Sequence, residues 1–306
     1  MWATRPRRSV LKVYILVDSE GQAAITREQD PVKVYGPWQA DYNRRRATDE
    51  TKACVEGALA AGAAEILVHD CGFIRGVSPG GLLLYYDELP RGIKIAMGGA
   101  AMHKVLATDT FDAVIFLGHH AMSGTPNAVM PHTFSASEVE NMWLNGKKIG
   151  EIAVEALQFG VFNVPVAMVS ADEAGCNEAK EWLGDVEVAP TKKGLGRHQA
   201  ISLHPKDADE LIRRKTIAAL KRVKDFKPYR MPGPLELRVD CYMEDQADLR
   251  AKMPLTERIG PKSVRIRTQN PLELTYQMTA AGSWSWLGGG ETRSIPPCWP
   301  MRKWRG

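Results

Sequence analysis

The chain has 306 residues, 44% of them hydrophobic and 25% charged, with a formal net charge of +4. That balance describes an ordinary folded protein with room for one large core or two modest ones. The mild charge, and arginine clusters without interleaved aromatics, exclude nucleic acid as the expected partner. No run is long enough to cross a bilayer, which excludes a spanning membrane role.

Residues 1–10 read as a basic arm. Residues 12–17, 65–68, 112–118 and 164–170 are short apolar runs that predict buried strands. Residues 22–46 read as a polar connection, and Thr48-Asp49-Glu50 as the N-cap and acidic first turn of a helix to about residue 61, closed by Gly62. Residues 76–81 form a loop, 82–86 a further apolar segment, and a helix over about 100–108 leads into the third strand. Residues 122–133, rich in Gly, Pro, Ser and Asn, predict an irregular loop. Asn145-Gly146 marks a two-residue hairpin within 142–149, followed by an amphipathic helix over 152–159. This alternation, to about residue 185, predicts an α/β fold: a mostly parallel sheet with flanking helices.

The later part differs. A loop at 191–197 and a long helix at 205–223 precede two strand–helix pairs, 235–241 with 246–251 and 263–268 with 271–278. These predict a smaller α+β second domain. The expected division is an arm at 1–10, an α/β domain at 11–190, an α+β domain at 191–280 and a Trp/Gly/Pro-rich tail at 281–306. The tail reads equally as an irregular extension or as a segment that docks on a neighbouring subunit through its indoles. Five scattered cysteines without a CxxC predict free thiols in a reducing compartment, the cytoplasm.

Three strands end in metal-compatible side chains: Asp18-Ser19-Glu20-Gly21, His69-Asp70-Cys71-Gly72 and His119-His120-Ala121. Carboxyl ends of parallel strands share one edge of an open sheet, where ligands bind. Asp18 and Glu20, two apart in extended backbone, converge on one side and suit a cation. Gly21 lets the chain turn away. Adjacent His119 and His120 point to opposite sides, so one faces the metal while the other packs or orients it. Carboxylates mixed with imidazoles favour zinc or another borderline divalent ion. His132, in the polar loop, suits an acid/base near neutral pH. Glu151, at an expected helix start, reads equally as a first-turn acid complementing the helix dipole. A flavodoxin-like nucleotide binder is disfavoured by acidic strand tips and the lack of a phosphate loop.

Taken in order, Asp18-Ser19-Glu20-Gly21, Gly118-His119-His120-Ala121, Val129-Met130-Pro131-His132 and Gly150-Glu151 resemble the bacterial D-aminopeptidase family, binuclear zinc enzymes encoded with dipeptide transport operons. The resemblance spans about residues 11–280. It implies Asp18, Glu20, His120 and Glu151 as metal ligands and His132 as the catalytic histidine. It implies His119 and Arg197 as residues beside the substrate. One departure stands out: the family's second strand ends in a ligand histidine where this chain has Gly72. His69, Asp70 or Cys71 would then substitute, or one metal position is lost. The expected function is a metal-dependent hydrolase of a small amide or short peptide, with one or two zinc or manganese ions per subunit. The alternatives are an amidohydrolase or C–N hydrolase acting on a non-peptide molecule, or a non-catalytic metal or small-ligand binding protein. The resemblance also implies a homo-oligomeric ring that admits only small substrates, with no nucleic-acid or membrane partner.

Overall fold

A computed structural model describes residues 10–27, 36–71, 83–97 and 101–278. Gly72, the 76–81 loop, residues 1–9 of the basic arm and the tail lie outside the described residues. The chain opens with β1 (Leu11–Val17), α1 (Gly36–Ala60), β2 (Ala63–Asp70), β3 (Lys94–Met97), α2 (Ala101–Thr108) and β4 (Ala113–Leu117). It continues with β5 (Val139–Leu144), β6 (Lys147–Lys148), α3 (Glu151–Val161), β7 (Val166–Asp172), α4 (Glu173–Leu183), β8 (Glu187–Gly196) and β9 (Gln199–Ser202). Last come α5 (Pro205–Lys221), β10 (Leu235–Cys241), α6 (Glu244–Arg250), β11 (Thr256–Gly260) and β12 (Ser263–Thr268).

Two sheets result. The larger has the order β3-β2-β1-β4-β7-β8-β9, parallel except for the β8–β9 hairpin. The smaller, antiparallel one has the order β11-β12-β10-β5-β6. Strands β1, β4 and β7 are buried almost throughout, as continuous apolar runs must be when helices cover both faces. On one face Val13, Ile15 and Val17 pack with Ala53, Cys54 and Ala58 of α1 and Ile212 and Leu220 of α5. On the other, Tyr14 and Leu16 pack with Met102 and Leu106 of α2, Phe159 of α3 and Cys176 of α4. β1 pairs with β2 on one side and β4 on the other, so the strand order reverses between β1 and β4. A crevice opens at the carboxyl ends of those two strands.

Three local expectations are corrected. Helix α1 begins at Gly36, not near Thr48. The ion pairs Asp41–Arg45 and Arg46–Glu50, each one turn apart, support the extra turns, and the Thr48 hydroxyl donates back to the Arg44 carbonyl instead of capping. The apolar segment at 82–86 packs inward in its described part. Leu83 and Leu84 are buried under α1, and the Leu84 N–H donates to the Asp70 carboxylate. Residues 191–196 continue β8 as a hairpin with β9. Helix α3, expected to be amphipathic, is buried on both faces. Ile152, Ala156 and Phe159 meet the parallel sheet, while Ala153, Val154 and Leu157 meet β5, β10 and Trp182. A helix packed between two sheets has no solvent stripe.

Cys54, Cys71, Cys176 and Cys241 are free thiols, and among the described residues no helix is long and apolar enough to cross a membrane.

Candidate metal centre

The tips of β1 and β4 are stitched together by backbone. The Asp18 N–H donates to Leu117 O at 2.8 Å and the Gly21 N–H to Gly118 O at 2.7 Å. This closeness explains both glycines. A Cβ on Gly21 would overlap the His119 carbonyl oxygen, and Gly118 has a left-handed φ of 75° where a Cβ would run into the Asp18 carbonyl oxygen. Gly21 therefore serves close approach of two strand tips; its φ is not in the left-handed region.

Asp18 Oδ1 accepts from the Ser19 N–H, and Glu20 Oε2 accepts from the Ser19 hydroxyl at 2.8 Å. From the tip of β4, His120 turns into the crevice with only 2% of its side chain exposed. Its Nε2 lies 3.6 Å from Asp18 Oδ2 and 3.1 Å from Glu151 Oε1. Glu151 opens α3, where the positive end of the helix dipole favours a carboxylate, and its Oε1 accepts from the Phe134 N–H at 2.6 Å. His132 enters from the loop. Its ring stacks on that of His120, with centroids 3.9 Å apart and planes 11° from parallel, and its Nε2 is 3.8 Å from Glu151 Oε1. Two metal-compatible groups follow: Asp18, Glu20 and His120, and His120, His132 and Glu151.

The electrostatics call for positive charge. Burial and the neighbouring charge of Glu20 push the Asp18 carboxyl well above its usual range. Burial would also raise Glu20 and Glu151, yet the imidazoles of His120 and His132 hold each down to about 2. Burial would lower His120, but Glu151, Asp18 and Glu20 carry it well above the usual imidazole range. Three carboxylates thus compete for two imidazoles.

The donor set fits a borderline divalent cation. His120 Nδ1 is 3.0 Å from Ala121 O and His132 Nδ1 is 2.8 Å from Met130 O. A carbonyl only accepts, so both Nδ1 atoms carry protons, and in the neutral ring Nε2 offers its lone pair. His120 Nε2 is buried and makes no aligned hydrogen bond among the described residues. Its nearest polar neighbours are the Glu151 and Asp18 carboxylates, at 3.1 and 3.6 Å. A bound cation would take the lone pair of that nitrogen and balance the carboxylate charge.

The other sequence-derived candidates lie elsewhere. His119 turns inward, stacks on Phe116 at 4.7 Å and pairs its Nε2 with Glu155 Oε2 at 2.9 Å. His69 is fully buried against the Tyr14 hydroxyl, and the Asp70 carboxylate accepts from the Leu84 N–H and the Tyr86 hydroxyl. Cys71 is half-buried. Burial raises its thiol well above the usual range, and the charges of Glu155 and Asp18 raise it further. None of these three joins either metal-compatible group. Arg197 is exposed and donates to Pro131 O at 2.8 Å, while its own carbonyl accepts from the Met130 N–H, so it braces the segment carrying His132.

Sequence reasoning missed the supporting acids. Glu155 stands one helical turn after Glu151, a spacing that places both on one face. Asp172 caps α4 through the Gly175 N–H and holds the Val129 N–H at 2.7 Å. Glu178 accepts from the Met122 N–H at 2.7 Å beside Gly150. Its signal was absent, because a glutamate in mid-helix ordinarily reads as solvated surface.

Comparison with known proteins gives a consistent picture. The D-aminopeptidase of Bacillus subtilis (strain 168) is 28% identical over 274 residues, covering 87% of this chain and 94% of that protein. The solved structure of the Zn-dependent D-aminopeptidase DppA from Bacillus subtilis, a self-compartmentalizing protease, matches with a TM-score of 0.77 at 27% identity, over 88% of this chain and 95% of that one. A family profile described as D-aminopeptidase matches residues 11–280, a span that takes in both sheets and the crevice between β1 and β4, and by that match the chain belongs to the D-aminopeptidase family.

Proposed function

We propose that the chain is a metal-dependent hydrolase that cleaves an amide bond in a short peptide or small amide, D-aminopeptides first among them. The observation that carries this is the buried His120 Nε2 set between the Asp18 and Glu151 carboxylates at the β1/β4 crevice. Family membership supplies the reaction class, and the Zn-dependence of the Bacillus subtilis relative favours zinc, with manganese as the other candidate. Asp18, Glu20, His120 and Glu151 would hold the metal, one or two ions per subunit. When bound, such an ion acidifies water and polarises a carbonyl oxygen.

The chain's own residues do the rest. His132, less deeply buried than His120, presents Nε2 to the crevice; it takes a proton from the attacking water and returns one to the departing amine. The Met130 carbonyl on its Nδ1–H fixes the tautomer and stabilises the charged ring between the two transfers. Glu151 Oε1, 3.8 Å away, favours that charge. Arg197 keeps the segment in register through Pro131 O. His119 and Glu155 support the tip of β4 from behind.

Small substrates suit a ring-like homo-oligomer that encloses its sites, an assembly favoured by the self-compartmentalizing character of the Bacillus subtilis relative. Free thiols suit the cytoplasm.

The test is elemental analysis of protein purified without chelators, with turnover of D-alanyl peptides and amides before and after chelation. At least one equivalent of zinc or manganese per subunit, and activity that disappears with the metal and returns with it, is the expected result. No metal uptake would sink the hydrolase assignment.

A further inference from the structure

The segment carrying Asp18 and Glu20 leaves β1 and has no helix or strand of its own up to Thr26. Its backbone is nevertheless held at close intervals, and from one place. Lys192, on β8 and 3% exposed, brings its ammonium to 2.6 Å from each of three carbonyls, Glu20 O, Gln22 O and Ile25 O. Its neighbour Thr191 donates its hydroxyl to Gly21 O. Two adjacent residues of one strand thus hold the carbonyls of residues 20, 21, 22 and 25.

An ammonium has three protons, and here all three are spent on backbone oxygens. The acids nearest it have other hydrogen-bond partners. Glu50 Oε1 accepts from the Ala23 N–H and from Arg46, while Asp172 accepts from the Val129 and Gly175 N–H groups. A buried ion pair for stability alone would place a carboxylate oxygen against the ammonium, and none is there among its hydrogen bonds. Burying a cation is costly, and here three short hydrogen bonds to backbone carbonyls offset that cost while fixing the path of the chain. The path matters here because the Glu20 carbonyl belongs to a candidate ligand, and displacing a ligand's support weakens metal binding.

We propose that Lys192 is a positioning residue of the metal centre: with the Thr191 hydroxyl, its ammonium fixes the backbone of residues 20–25 so that the Asp18 and Glu20 carboxylates stand ready for the ion. This rests on the metal-centre assignment above. Lys192 offers no ligand to either metal-compatible group: its ammonium is engaged by backbone carbonyls.

The test is zinc titration of the full chain in competition with a chromophoric chelator, for wild type, Lys192→Met, Thr191→Val and the exposed neighbour control Lys193→Met. Zinc affinity should fall about 10- to 100-fold in Lys192→Met and by a smaller factor in Thr191→Val, with Lys193→Met unchanged. At saturating zinc, Lys192→Met should regain most of its kcat with an unaltered KM, a recovery that a merely unfolded fraction would not give. A folded Lys192→Met that binds zinc as tightly as wild type overturns the proposal. Should that variant fail to fold, wild-type zinc affinity in Thr191→Val overturns it equally. Zinc binding that is absent from wild type itself brings down the metal-centre assignment and this inference together; binding in wild type with none of these losses brings down this inference alone.

Discussion

The imidazoles of His120 and His132 lie stacked 3.9 Å apart, and each ties its Nδ1 to a backbone carbonyl, Ala121 for one and Met130 for the other. The arrangement makes them chemically alike and spatially distinct. His120 is 2% exposed beside Asp18 and Glu151, whereas His132 is 12% exposed on the open side. The inner ring suits ligation and the outer one proton exchange.

Replacing His132 by Ala should therefore lower turnover by about two to four orders of magnitude. Zinc per subunit should stay at the wild-type figure. Steady-state rates together with elemental analysis check both halves. Zinc lost alongside activity would place His132 among the ligands and take the proton-transfer role away from it.

Gly21→Ala should be severe for a small change. The added methyl would overlap the His119 carbonyl and crowd Gly118, both backbone groups that cannot swing aside. The expected destabilisation is about 3 kcal/mol or more, read by urea denaturation, because overpacking against backbone has no cheap relaxation. Zinc affinity should fall too, since the β1 and β4 tips would part. An alanine variant as stable as wild type would contradict this account of the strand tips.

Glu178 gives a pH signature. Burial raises its carboxyl to about 7 from the ordinary 4.5. Because the folded value lies above the unfolded one, its contribution to stability is fully present below about pH 4.5 and is lost as pH rises through about 7. Glu178→Gln removes that titration. Between pH 5 and 8, wild type should lose up to about 3 kcal/mol relative to the variant, following the linkage of about 1.4 kcal/mol per unit. Denaturation curves measured across that range check it, and parallel profiles for the two proteins would rule it out.

What could be read in the sequence was whatever depends on local pattern. Buried parallel strands declare themselves as apolar runs, and their tips placed Asp18, Glu20 and His120 at one edge before any coordinates. The Asn145-Gly146 turn was equally plain, with left-handed φ at both residues. Glu151 was not: a glutamate opening a helix satisfies the dipole whether or not it meets a metal, and only the resemblance singled it out. The start of α1 was hidden because its support comes from charge pairs within a polar stretch. His119 could not be told from His120 by side-chain alternation alone, since alternation says that they differ and not which one faces the crevice. Lys192 sat in a Lys-Lys pair that reads as solvated. Its burial is a property of the hairpin above loop 20–25, which no local window contains.

Helix α3 is clasped by both sheets along its length and carries Glu151 as its first residue. The outlying antiparallel sheet is thus half of the bearing in which a candidate ligand sits. Substitutions among Val139, Leu237 or Val264 act on the same core that seats the helix. Anyone grafting a different antiparallel sheet onto this scaffold would have to carry α3 across with it, or retune the ligand through the core behind it.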